Sequence, residues 1–100
     1  MQIVNKRKID NEYRIAIPLG MRDALHISYK DPVVWEQEGN KISIAAGAKS
    51  ARLTGIITTR VDDVGKVQLP RFAIEAGLKP GMEIELVCDG DRIVFEIPQE

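Results

Sequence analysis

The chain has 100 residues, of which 44% are hydrophobic and 29% charged, with a formal net charge of −1; this composition argues against a disordered chain and suits one small globular domain. A single cysteine, Cys88, excludes an intrachain disulfide and is expected to be a buried thiol; with a single histidine, His26, it also argues against zinc or haem, so no metal or cofactor is expected. No apolar stretch approaches the roughly 20 residues that span a bilayer, and MQIVNKRKID lacks the apolar segment of a signal peptide, so the expected location is cytoplasmic, away from membranes.

Charge is unevenly spread: residues 1–50 hold eight Lys/Arg against six Asp/Glu, residues 51–100 six against nine. The basic excess gathers at Lys6, Arg7, Lys8 and Arg14, a cluster able to meet phosphates even on an acidic protein. Its alternative reading is an ordinary solvated strand face.

In chain order, Ile9-Asp10 stands before a turn, where an aspartate caps backbone amides. Arg14 to Ile17 alternates polar or small with aliphatic residues, the period of a half-buried strand. Pro18 is expected to open a helix over 18–25, because its missing N–H would be unpaired there anyway. His26 then fills the place of a helix-closing residue. A turn at Ser28-Tyr29-Lys30-Asp31 leads to a hairpin of Val33–Glu36 with Lys41–Ala45, its tip Glu38-Gly39-Asn40 supplying turn residues. Small, polar residues 47–54 read as a linker.

The same succession then returns. Val61-Asp62 and Lys66-Val67-Gln68-Leu69-Pro70 repeat Ile9-Asp10 and Arg14-Ile15-Ala16-Ile17-Pro18 at an offset of 52. After one deletion near Leu25 the offset is 51, aligning His26 with Gly77, Trp35 with Leu86, Gly39 with Gly90 and Ile42 with Ile93. The second unit thus has a strand at Lys66–Leu69, a helix over 70–76, a turn at Lys79-Pro80-Gly81-Met82 and a hairpin of Glu83–Val87 with Arg92–Ile97 around Asp89-Gly90-Asp91. A repeat of this kind decides the organisation of the chain: residues 1–46 form one unit, 47–54 the linker and 55–100 the second unit.

RKIDNEYRIAIPLGMRDALHISYKD resembles the DNA-binding unit of the AbrB/SpoVT regulators, to which MazE and MraZ proteins are related, and TRVDDVGKVQLPRFAIEAGLKPGMEIEL is similar to the same pattern. The resemblance implies a mainly β fold with short helices, in which two units interleave as a swapped-hairpin barrel. It also implies a prokaryotic transcription regulator whose partner is double-stranded DNA, with Arg7, Arg14 and Arg22 as its DNA-facing arginines. Lys6 and Lys8 stand beside them. The second unit carries Thr59 and Ile74 at the Arg7 and Arg22 positions, leaving Lys66 with Arg60 and Arg71 nearby. Two departures are visible: Asp23 replaces a further basic residue, and Tyr13 replaces the usual glycine.

Chemistry independent of the family agrees with these assignments, since arginine presents a planar donor fork to phosphate or guanine whereas lysine is a point charge. An enzyme is not expected, because no phosphate loop, metal set or catalytic pair accompanies His26 or Cys88. A toxin-neutralising antitoxin would add a wrapping tail, and the chain ends at Glu100 directly after the second hairpin, so a regulator is preferred to a toxin partner. A third possibility is an assembly module of the same fold without DNA binding. The linker can reach about 30 Å, enough for both units to interleave within one chain; a palindromic site would favour a homodimer of whole chains. The expected core comprises Ile15, Ile17, Leu25, Ile27, Val33, Trp35, Ile42, Val67, Leu69, Leu78, Ile84, Leu86 and Ile93.

Overall fold

A computed structural model describes residues 3–47 and 57–98. The expected linker, apart from Gly47, lies outside these residues, as do residues 55 and 56 of the second unit. The first half runs β1 (Ile3–Lys8), β2 (Arg14–Ala16), α1 (Leu19–Leu25), β3 (Pro32–Glu38) and β4 (Lys41–Ala46); the second runs β5 (Ile57–Arg60), β6 (Lys66–Gln68), α2 (Arg71–Glu75), β7 (Glu83–Asp89) and β8 (Arg92–Glu96). The fold is mainly β with two short helices. Among the described residues no helix is long and apolar enough to cross a membrane.

Both helices follow a proline, but the proline stands one place earlier than the sequence suggested. Pro18 is extended at φ −56° and ψ 147°, as is Pro70 at −70° and 159°. At this capping position the residue keeps non-helical dihedrals while its carbonyl accepts the first helical bonds. Pro18 O accepts the amides of Met21 and Arg22, and Pro70 O those of Ala73 and Ile74. The opposite ends close as anticipated, with His26 left-handed at φ 56° and Gly77 at 117°. Ile27 N–H reaches back to Arg22 O at 2.9 Å and Leu78 N–H to Ala73 O at 3.3 Å, the same C-terminal motif twice.

The strands form a six-stranded antiparallel sheet of order β1-β7-β8-β4-β3-β5 and a separate β2-β6 ribbon. Only the two hairpins, β3-β4 and β7-β8, pair within a half; β1-β7, β5-β3, β4-β8 and β2-β6 all cross between halves. In the ribbon Ile15 lies opposite Val67, and in the sheet Ser43 lies opposite Val94. Each faces its own repeat counterpart, so a pseudo-two-fold axis passes through both pairs.

The expected barrel is not closed. β1 and β5 end the large sheet on opposite edges and do not pair with each other. The chain turns sharply at Asp10 and Asp62, and the three-residue strands beyond those turns form their ladder with one another, with one further bridge from Val67 to Val61, so no ladder joins β1 to β5 among the described residues. All thirteen expected core residues are buried, Trp35 included at 2% exposure. Ile9, Met21, Ile44, Val61, Ala73, Cys88 and Phe95 join them in the same cluster.

Two outcomes test this account. Residues 1–47 and 55–100 produced separately are expected to show no cooperative melting, and mixing them to restore it, because a lone hairpin is marginal in water and four of the six strand pairings need both halves. Replacing the strained left-handed residue in His26→Gly should raise stability by about 0.5–1 kcal/mol, read by urea titration, whereas Gly77→His should lower it.

Candidate nucleic-acid interface

The turns that follow β1 and β5 are built identically. Asp10 Oδ1 accepts the amides of Glu12 (2.9 Å) and Arg14 (2.8 Å), and Asp62 Oδ1 those of Val64 (3.0 Å) and Lys66 (2.9 Å). The capping role read from the sequence therefore holds for both. Each aspartate has a second oxygen, and this is where the halves meet electrostatically. Arg14 contacts Asp10 Oδ2 at 3.1 Å, Asp62 Oδ2 at 3.3 Å and Glu12 at 2.8 Å, while Lys66 Nζ reaches Asp10 Oδ2 at 3.1 Å.

Arg14 and Lys66 are thus brought together across the pseudo-dyad, and their charge is already matched by carboxylates. Partial burial works against the charged form of Asp10, but the Arg14 and Glu12 amides, the Lys66 ammonium and the Arg14 guanidinium outweigh it. Together they hold its carboxyl at about 2, below the ordinary 3.8.

Arg22 is placed differently. Its Nε donates to Ile17 O at 2.9 Å, and its guanidinium lies over Gly65 so closely that a Cβ there would stand 2.8 Å from Arg22 Cζ. The backbone bond fixes the side chain while the terminal nitrogens of the fork have no ion-pair partner among the described residues. On β1, Arg7 donates to Asn5 Oδ1 (2.6 Å) and to Lys6 O (2.8 Å). Arg60 Nη1 donates to Lys30 O at 2.8 Å. Arg71 pairs with Glu75 at 3.5 Å, a solvent-exposed i,i+4 contact of little energetic weight.

Lys6 and Lys8 project from the exposed face of the large sheet, opposite Glu85 and Glu83 of β7. That face also carries a groove of about 620 Å³ lined by Glu83, Glu85, Asp89, Glu96 and Lys41, an acidic surface unsuited to phosphate. The eight candidate cations therefore do not converge on one patch. Arg14, Lys66 and Arg71 are ion-paired, whereas Lys6, Arg7, Lys8, Arg22 and Arg60 make no ion pair among the described residues. Sequence spacing did not reveal that Asp10 and Asp62 are the partners of Arg14 and Lys66, nor that Gly65 seats Arg22. Cys88 is buried, and burial, with the Asp89 carboxylate adding to it, pushes its thiol up, as suits an inert core residue.

Because the Asp10 carboxyl is depressed in the folded chain, its contribution is present above the unfolded value near 4 and is lost as pH falls towards 2. Urea titrations at pH 7, 4 and 2.5 should show stability dropping over that window. Asp10→Asn should be less stable at pH 7 and show a shallower decline.

No family model and no curated protein matches the chain. Among solved structures it is similar to the solution structure of PHS018 from Pyrococcus horikoshii, with 24% identity, a TM-score of 0.52, and coverage of 97% of this chain and 95% of that one. At this identity the likeness shows a shared small β-rich fold.

Proposed function

We propose that this chain is a DNA-binding transcriptional regulator of the AbrB/SpoVT kind, acting in the cytoplasm, whose two halves interleave as one swapped-hairpin unit equivalent to a two-chain assembly. The observation that carries the reading is Arg22: a guanidinium fixed by a backbone hydrogen bond over a glycine, with its terminal nitrogens unpaired by any described carboxylate. A pre-positioned fork of this kind suits two parallel bonds to a phosphate or a guanine edge. Arg7, Lys6 and Lys8 add positive charge from β1. Arg14 supports the turn and the junction of the halves, and acts on DNA through position rather than as a free donor. The strand pairing between halves supports the architectural part of the reading.

A second reading, an assembly module that does not bind DNA, draws on the junction itself, where Asp10, Glu12, Asp62 and Asp63 outnumber Arg14 and Lys66. Titration of genomic DNA fragments by fluorescence anisotropy at two salt concentrations separates the two. A regulator binds at low salt and weakens as salt rises, with a log–log slope near −0.9 per phosphate contact. The Arg7→Ala/Arg22→Ala variant is expected to bind about tenfold or more weakly. Arg71→Ala should bind like the parent chain. Unchanged affinity in the double variant, with its melting intact, ends the assignment to Arg7 and Arg22, and the absence of salt-dependent binding by the parent chain ends the DNA reading.

A further inference from the structure

We propose that one chain reads a single asymmetric DNA site, led by Arg7 and Arg22 of the first half, and that its target lacks two-fold symmetry. The inference rests on the DNA-binding reading and names the class of target. A two-fold symmetric reader presents the same donors twice, which is why palindromic operators mirror two-fold proteins. Here the pseudo-dyad relates Arg7 to Thr59, Arg22 to Ile74 and Arg14 to Lys66. Of these three only the last pair is cationic on both sides, and those two side chains meet Asp10 and Asp62; Lys8 and Arg60 also correspond, and Arg60 Nη1 donates to Lys30 O.

The other two pairs differ in a matched way. Beside Thr59 stands Trp35, whose indole N–H donates to the Thr59 hydroxyl at 2.8 Å. The dyad counterpart of Trp35 is Leu86, which has no donor to satisfy, and there the position of Thr59 is taken by Arg7. An arginine at 59 would leave a buried indole N–H without its acceptor, so this position in the second half is committed to the interior. The same holds at the helix. Arg22 lies over Gly65, where a Cβ would stand 2.8 Å from its Cζ and push the guanidinium aside; the dyad counterparts of these two, Ile74 and Tyr13, pack against the core.

The second half thus carries at these two positions a hydroxyl that serves an indole and an aliphatic side chain packed on the core, in place of two arginines. The Arg7 and Arg22 guanidinium groups have no arginine counterpart in the second half. Such a pair reads one half-site with a fixed direction along the duplex, and the second half offers in its place only Lys66, paired with Asp10, and Arg60, whose Nη1 is engaged by Lys30 O.

The test is selection from a pool of random 20-base-pair duplexes on the full chain at low salt, followed by sequencing and native mass spectrometry of the enriched complexes. A single non-palindromic motif carrying one chain per duplex is the expected result. Against an enriched duplex, Arg22→Ala should lose about tenfold in affinity while its dyad counterpart Ile74→Ala loses less than about twofold; Arg7→Ala and Thr59→Ala should differ in the same sense. An inverted-repeat motif carrying two chains, or equal losses at dyad-related positions in variants that melt normally, overturns the inference and leaves DNA binding standing. No enrichment of any sequence overturns both.

Discussion

Strand β2 is three residues long, and its ladder partner among the described residues is β6, the same strand of the other half. The rest of the structure depends on this pairing. A three-residue strand cannot hold its backbone groups on its own, and buried amides and carbonyls must find partners. Ile15 and Val67 meet on the pseudo-dyad, fully buried. Two further backbone bonds extend the contact, Ile17 N–H to Gly65 O and Leu69 N–H to Tyr13 O. Once these are formed, β1 and β5 are delivered to opposite edges of the large sheet, where each adds to the hairpin of the other half. The ion pairs of Arg14 and Lys66 with the two aspartates lie over the same junction. Local turn-forming and association of the halves therefore share the same carboxylates.

The dyad is well kept by the backbone and poorly kept by the side chains. Positive φ recurs at equivalent places: Tyr13 at 60° and Gly65 at 83°, His26 at 56° and Gly77 at 117°, Lys30 at 73° and Gly81 at 89°. In each pair the second half has glycine and the first a residue with a Cβ, at a cost of roughly 1 kcal/mol per position. Only the hairpin tips, Gly39 and Gly90, are glycine in both. Backbone path is thus the conserved quantity within this molecule, because the pairing registers of both halves depend on it.

Much of this path was legible in the sequence. The offset of 52 and then 51 fixed which residues correspond, and alternation marked the expected core positions that lie in strands because burial on one face of a strand imposes a period of two. His26 and the two aspartates were readable because turns and caps are local. Three features were not. β1 shows no alternation in Asn5-Lys6-Arg7-Lys8, since its exposed face pairs lysines with Glu85 and Glu83 and its other face sits at a sheet edge. Proline has the same φ at the cap as in the first turn, so sequence could not place Pro18 within one residue. The neutralisation of Arg14 by Asp62 and of Lys66 by Asp10 joins residues far apart in the chain, and only the interleaved topology puts them within reach.

That neutralisation changes how the basic residues are to be weighed. Counted along the sequence, Arg14 belongs to the positive cluster; in space it is the most heavily ion-paired cation among the described residues, and Arg22, flanked by Asp23 and remote from the cluster, has the better-held fork. Its seat calls for a residue at position 65 that leaves the guanidinium in place, as the glycine of the other half does, and for a carbonyl at Ile17, contributed by its own half. A two-chain assembly of identical units would have to meet that requirement twice, with the same residue serving at positions 13 and 65. Joining the units in one chain removes the obligation. Position 65 can stay glycine, where a guanidinium approaches within contact of the backbone, while position 13 accepts a tyrosine that fills space beside the core. The divergence of the two halves is a direct consequence of their covalent linkage: the backbone registers that every strand pairing needs are kept in common, and the side chains around them are free to specialise.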